Sequence, residues 1–197
     1  MKFYKHVLIA SAIISCSINS FAQVNKNPIT NFYSVNHVGL LEGQSGSAFQ
    51  LQTINGVKYK SWFGGIGIGL DFYRIRSIPL FADVRKEFGK TSNKLFVFAD
   101  AGINFGWRTD KEVKQFNTND KLKNGFYTEA GAGYKFRLSN MNNLSFSLAY
   151  SYKTNTETGT NNYNVPNPLY FTGALPPDQE KISYHLNRIV IKAGFEF

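Results

Sequence analysis

Ten ionisable residues repeat a common setting in this chain. Asp71, Asp83, Asp100, Glu129 and Glu196, and Arg85, Lys135, Arg137, Arg188 and Lys192, all fall on the polar side of segments that alternate polar and apolar residues. A period of two places the two sets on opposite faces of a strand, and the charged face is otherwise mostly glycine and serine. Charges turned toward an enclosed space need partners, because isolated burial is strongly unfavourable or neutralises the group. Two kinds of chemistry fit five acids among five bases. One is a salt-bridged filling of the enclosed space, and the other is a narrow path for ions or small solutes lined by the same groups.

Other constellations are weaker. The triplets Asp100-Ala-Gly102, Glu129-Ala-Gly131 and Lys192-Ala-Gly194 repeat a charge followed by small residues, which suits packing inside a narrow enclosure. Gly64-Gly65-Ile-Gly67-Ile-Gly69 lacks the spacing of a phosphate loop and the Lys-Ser/Thr pair that would follow it, so strand glycines are the better reading. Ser183-Tyr-His185 puts a serine and a histidine on one side of a strand, with Glu180 the nearest acid in sequence. A general base needs an acid to orient it, so catalysis is not expected and no catalytic residue is assigned. No His/Cys cluster suited to a transition metal occurs, and neither a metal nor a cofactor is expected.

The elements that position these groups are strands. Eight segments read as strands, at about 32–42, 47–54, 57–73, 78–88, 95–107, 125–138, 144–153 and 182–197. The connections at Asn55-Gly56, Gly89 to Lys94 and Ser139 to Asn143 are short, and Asn-Gly favours a two-residue hairpin turn. On the other side, Gly43–Gly46 and Arg74–Ser77 are brief, while 108–124 and 154–181 are long and polar. In the fifth segment Leu95, Val97, Ala99, Ala101, Ile103, Phe105 and Trp107 oppose Phe96, Phe98, Asp100, Gly102, Asn104 and Gly106. The parity slips between Val35 and Val38 and near Asn187, which predicts either bulges or segments projecting beyond the membrane.

Alternation does not say which face is outside, and a soluble barrel would turn its apolar face inward. Two features favour an apolar exterior. Aromatics gather near segment ends: Trp107, Phe126, Tyr127, Tyr150, Tyr152, Phe72 and Tyr73 at one end, and Trp62, Phe88, Phe136 and Phe197 at the other. The polar face is also dominated by small residues, which suit a cramped interior better than a wet surface.

The ends agree with an exported chain. Residues 1–22 read as a signal peptide: Lys2 and Lys5 precede an apolar stretch, and Ser20-Phe21-Ala22 offers cleavage between Ala22 and Gln23. Ile13-Ile14-Ser15-Cys16 also fits a loose lipobox, an alternative in which Cys16 is lipidated. Residues 23–31 form a polar leader, and 32–197 one domain. No apolar run reaches the length of a spanning helix. The net charge of +9 falls by two with the signal peptide, and the charges are scattered, so nucleic-acid binding is not expected. Aromatic content of 16% and 17 glycines point to β structure.

The last nine residues, Ile189-Val-Ile-Lys-Ala-Gly-Phe-Glu-Phe197, alternate strictly and stop on an aromatic. With the Ala22 site, the alternating segments and the loop asymmetry, this resembles the small outer-membrane β-barrels of Gram-negative bacteria, the OmpA-type and OmpX-type class. The resemblance implies an all-β, transmembrane, antiparallel up-and-down barrel of eight strands in the cell outer membrane. It implies that Phe195 and Phe197 belong to a signal read by the barrel-assembly machinery. Outer-membrane lipid and lipopolysaccharide would surround the barrel, with Arg74, Arg76 and Arg108 at the outer rim. The loops about 108–124 and 154–181 would meet the envelope or an extracellular partner. Three roles stay open: a non-enzymatic surface barrel, a narrow channel, and a lipid-modifying enzyme acting through His185.

Overall fold

The computed structural model describes residues 31–89, 91–107, 118–138, 142–161 and 178–197. Its strands are β1 (Asn31–Gly43), β2 (Gly46–Tyr59), β3 (Trp62–Asp71), β4 (Ser77–Phe88), β5 (Lys94–Gly106), β6 (Thr118–Lys123), β7 (Gly125–Arg137), β8 (Asn143–Asn161) and β9 (Asp178–Glu196). Eight of them pair antiparallel in the order β1-β2-β3-β4-β5-β7-β8-β9, and β9 returns to β1 to close the ring. The closure is tied by reciprocal backbone bonds between Ser34 and Phe197, at 2.8 and 3.0 Å. A closed ring satisfies backbone groups between strands without exposing an edge, which is what a bilayer requires. Strand β6 adds no stave. It pairs with Thr156–Thr160 of β8, beyond the stretch that pairs with β7, and so continues the line of β7 past Asn124.

The exterior of the barrel is apolar. Ile66 is 67% exposed, Ile191 60% and Leu148 59%, values that only a lipid environment makes favourable over so large a surface. Aromatics bound this belt at both ends. At the end where β1 begins and β9 finishes, Tyr134 and Phe136 meet edge-on at 4.8 Å, Phe195 lies 6.1 Å from Phe197, and the Lys86 ammonium sits 4.7 Å above Trp62. At the other end Phe72 and Trp107 meet edge-on at 6.2 Å. Trp62 and Phe72 bracket strand β3, whose ten residues match the length a tilted strand needs to cross a hydrocarbon core.

Four sequence expectations are corrected. Asn55-Gly56 is not a turn: β2 runs through it, and the reversal comes at Lys60-Ser61, where Lys60 takes a φ of 54°. Gly56 is needed for close approach instead, since a Cβ there would lie 2.2 Å from the Gly64 carbonyl oxygen. No bulges occur at Val35–Val38 or Asn187, because the β1–β2, β1–β9 and β8–β9 registers are unbroken. The parity slips because Val35, Leu41 and Val190 face inward as apolar residues.

The loop at 154–181 is strand at both its ends, with β8 reaching Asn161 and β9 starting at Asp178; 162–177 lie outside the described residues. The loop at 108–124 likewise contains β6, and 108–117 lie outside. Tyr127 and Tyr73 do not join the exterior girdle, being buried inside the barrel at 0% and 1% exposure. The signal peptide, Ala22, Gln23, Cys16 and the leader up to residue 30 also lie outside the described residues.

Strands β8 and β9 outrun the ring. Pairing of β1 with β9 stops at Gly43 and Arg188, but β8 and β9 stay paired for ten residue pairs beyond the Ser151–Arg188 pair, to Asn161 and Asp178. With β6 along the other side of β8, they form a three-stranded tongue. At roughly 3.4 Å per residue it extends about 30 Å past that rim.

Candidate functional site: the charged barrel interior

Inward parity brings charged residues from strands far apart in sequence into one column. Nearest the tongue, Asp71 of β3 lies between Lys153 of β8 and Arg188 of β9, all three buried. The Lys153 ammonium is 2.9 Å from Asp71 Oδ1 and donates to the carbonyls of Tyr73 and Ile75 at 3.0 and 2.7 Å. Arg188 bonds Asp71 Oδ2 through Nη1 and donates to Ser151 Oγ at 2.7 Å through Nη2. The Tyr73 amide closes the cluster by donating to Asp71 Oδ1 at 2.8 Å. One carboxylate thus holds two cations and a backbone donor, a charge-assisted arrangement of the stronger kind.

The next level centres on Tyr127. Its hydroxyl accepts from the side-chain amides of Gln50 and Gln52, at 3.1 and 2.8 Å, and donates to Glu129 at 2.8 Å. Glu129 pairs with Lys192, which also donates to the Gln52 carbonyl oxygen at 3.1 Å and lies 4.4 Å from the centre of the Phe98 ring. Asp100 stands directly between Asp83 and Glu129 in the strand registers. Arg85 holds Asp83 at 2.9 and 3.0 Å through Nε. Its guanidinium is boxed by Phe63, Phe96 and Phe98, at 5.5 to 5.9 Å, which supplies cation–π contact.

At the end where β1 begins and β9 finishes, Glu87 gathers Lys58 at 2.6 Å, Lys94 at 3.1 Å and Lys135. Lys135 reaches on to Glu196 at 3.4 Å, and Glu196 accepts the Tyr33 hydroxyl. This one network touches β1, β2, β4, β5, β7 and β9 and crosses the mouth of the barrel.

Of the ten charges marked from sequence, nine are buried inside the barrel. Arg137 is the exception: it is exposed at the end of β7, where only its backbone amide is held, by Asn93 Oδ1 at 3.2 Å. Lys153, Glu87, Lys58 and Glu157 were missed. Glu87 shares inward parity with Asp83 and Arg85, and Lys153 and Glu157 with the serines of β8, so the period already pointed to these three; Lys58 is on β2, where no charge was marked. Several interior polar atoms have no hydrogen-bond partner among the described residues, including both ring nitrogens of His37 and both carboxyl oxygens of Asp100. Buried groups of this kind are the usual sites of internal water.

Of the Ser183, His185 and Glu180 set, the Glu180 side chain lies outside the described residues. His185 lies on the outer face of the tongue, where its Nδ1 meets the Tyr152 hydroxyl at 2.7 Å, and Ser183 Oγ is 3.4 Å from Thr156 Oγ1. Among the described residues no group of three or more His, Cys, Asp or Glu is arranged to hold a metal. A concavity of about 640 Å³ is on the outer wall, lined by Val38, Leu51, Ile68, Leu70, Leu144 and Phe195. It is a groove on the apolar surface, away from the charges.

No protein-family model and no curated protein sequence matches the chain. Among solved structures it is similar to Neisserial surface protein A, at a TM-score of 0.52 and 12% identity, covering 85% of this chain and 97% of that one. It also overlays the outer membrane protein OprG from Pseudomonas aeruginosa, with TM-score 0.48, 10% identity and coverage of 86% and 96%. The outer membrane protein AlkL gives TM-score 0.47, 11% identity and 86% of both chains. At such identities the likeness is one of fold, and with the closed ring and its apolar belt it shows this chain to be a small outer-membrane-type antiparallel β-barrel of eight strands.

Proposed function

We propose that the chain is an integral barrel of the bacterial outer membrane, non-enzymatic, with an interior filled by ion pairs and a tongue that serves interaction. The observation that carries this reading is the interior column. Lys153, Arg188 and Lys192 are at most 1% exposed, and each ties strands across the barrel to a carboxylate at its own level. Eight strands leave room for little more than side chains, so such a column blocks a general pore. The barrel then acts as an anchor that holds β6, β8 and the start of β9 about 30 Å beyond the rim. Surfaces of this kind, raised on a rigid support, are where partners are met.

The proposed partners are outer-membrane lipid and lipopolysaccharide around the belt, the barrel-assembly machinery at Phe195 and Phe197, and an extracellular molecule at the tongue. Both terminal phenylalanines face outward and are 41% and 46% exposed, as a surface read during assembly must be.

A narrow path for ions is the second reading, and the unpartnered atoms of His37, Asp100 and Arg85 favour it, since water drawn to them would loosen the column. Planar-bilayer recording of the refolded protein separates the two. A silent protein that still shows heat-modifiable migration supports the filled interior. Discrete conductance steps that change on Asp100→Ala or Arg188→Ala would replace it with the channel.

A further inference from the structure

The early end of β1–β9 pairing leaves a notch in the rim. Beyond Arg188, no described strand pairs with the β1-facing side of β9. Since Phe197 exchanges backbone bonds with Ser34, alternation assigns the same edge to every second residue of β9. The amides of Asn187, His185 and Ser183 therefore point into the gap.

The opposite wall is the hairpin tip after β1 and the turn after β3. Together they enclose a cavity of about 220 Å³ bordered by Ser45, Tyr73, Arg74, Ser183, Tyr184 and Asn187. Among the described residues its lining holds no acidic side chain. The neighbouring acids already accept protein donors: Glu42 accepts the Ser47 hydroxyl, and Glu157 accepts the hydroxyl of the bordering Tyr184 at 3.0 Å.

Arg74 is the cation of this notch, and it is held there. Its backbone is left-handed, with a φ of 49°, which a non-glycine residue adopts only where its surroundings enforce it. Its Nη1 donates to Ser45 Oγ at 3.0 Å, its guanidinium lies 5.5 Å from the centre of the Tyr184 ring, and the Ser45 amide donates to Tyr73 Oη at 2.7 Å. No carboxylate pairs with Arg74 among the described residues. The remaining guanidinium protons, the Ser45 hydroxyl proton and the free edge amides form a donor-rich, anion-seeking cluster.

Its height identifies the anion. Arg74 is two residues past Phe72 of the outer aromatic pair, and Asn187 accepts the hydroxyl of interfacial Tyr150 at 2.6 Å. Aromatic girdles mark the headgroup level of a bilayer. We propose that the notch binds a lipid-borne phosphomonoester, with Arg74 as the pairing cation and Ser45 and the β9 edge amides as further donors. The phosphate chemistry stands on the notch alone; the lipid source rests on the membrane reading above.

The test uses the protein refolded in dodecylmaltoside, a detergent without phosphate. Dihexanoyl phosphatidic acid, dihexanoyl phosphatidylcholine and inorganic phosphate are titrated separately against amide and arginine Nε–H NMR signals. Phosphatidic acid is expected to shift Arg74, Ser45, Ser183 and Asn187 saturably. Inorganic phosphate should bind at the same residues at least tenfold more weakly, and the phosphodiester should not bind there. Arg74→Gly relieves the left-handed backbone and so preserves folding; it should weaken phosphatidic acid at least tenfold, with Arg74→Lys in between.

Saturable shifts that survive Arg74→Gly, or that map away from the notch, would overturn the proposal. Equal affinity for the phosphodiester would do the same. Inorganic phosphate binding as tightly as the lipid would overturn the lipid source. Membrane placement is read independently, by quenching from brominated lipids, so its failure is distinguishable from failure of the notch.

Discussion

Replacing Asp71 by asparagine keeps the shape of the side chain and removes its charge. The asparagine carbonyl can stand in for Oδ1, preserving the acceptor for the Tyr73 amide and the Lys153 ammonium. The amide nitrogen then occupies the place of Oδ2 and turns donors toward Arg188 Nη1. Breaking one side of a buried pair typically costs about 3–5 kcal/mol. Lys153 keeps its two carbonyl partners and Ser77 Oγ, and Arg188 keeps Ser151, so the lower end applies. The expected loss is about 3 kcal/mol, more than a hundredfold in the folding equilibrium.

Urea unfolding of protein refolded into lipid vesicles, followed by the fluorescence of Trp62 and Trp107, measures it as a shift in midpoint at unchanged slope. The double variant Asp71→Asn with Arg188→Met should recover part of the loss, because the uncompensated cation is gone. A loss below about 1 kcal/mol, or a double variant less stable than the sum of its singles, would refute the claim that Asp71 compensates buried charge.

Gly102→Ala should lower stability by about 1–3 kcal/mol, since its Cβ would meet the Leu80 carbonyl oxygen at 2.0 Å and Phe81 Cα at 2.5 Å. Gly64→Ala, with nothing within 4 Å, is the matched control, and heat-modifiable migration after refolding compares them. Lipids brominated near the headgroup should quench Trp62 and Trp107 more strongly than lipids brominated near the chain ends, because the two indoles mark opposite interfaces; equal quenching by both would remove the girdle assignment. Cutting the tongue by joining Thr154 to His185 through Asn-Gly should leave folding intact, because these two residues already pair and the column lies at or below Lys153. Failure to refold would show that the tongue supports the barrel.

The parts of the fold legible in sequence were those crossing lipid. In β3, β5 and β7 the two faces meet different solvents, hydrocarbon outside and a polar interior inside, so composition alternates sharply. In the tongue both faces carry polar residues, even where Asn155 and Glu157 are buried at 1% exposure, and the contrast vanishes. Thr154-Asn155-Thr156-Glu157-Thr158 therefore read as loop although its threonines favour strand. Asn55-Gly56 misled for another reason: turn chemistry is local, while the β2–β3 register places Gly56 against Gly65 for close approach. Parity marked which residues face inward but carried no depth. Asp71 and Arg188 are 117 positions apart, and only the strand registers bring them level.

An interior built from charges also answers a problem that an apolar one would leave open. Outside a lipid environment, hydrophobic burial tells a strand which face goes in. Here the outside is itself hydrocarbon, so an apolar interior would give little preference between the two faces, and slipping a strand by one residue exchanges them. With Arg188 and Lys192 four residues apart on the same face of β9, a slip relative to its neighbours turns both toward lipid. Cations on the lipid face are unfavourable by about 2–4 kcal/mol each near the bilayer centre, and their carboxylate partners on β3 and β7 would lose compensation at the same time. The penalty for the wrong face is therefore several times the modest net gain of an ion pair in the right one. The column contributes to the barrel chiefly by excluding misregistered closures, and it does so whether or not the same charges ever meet a solute.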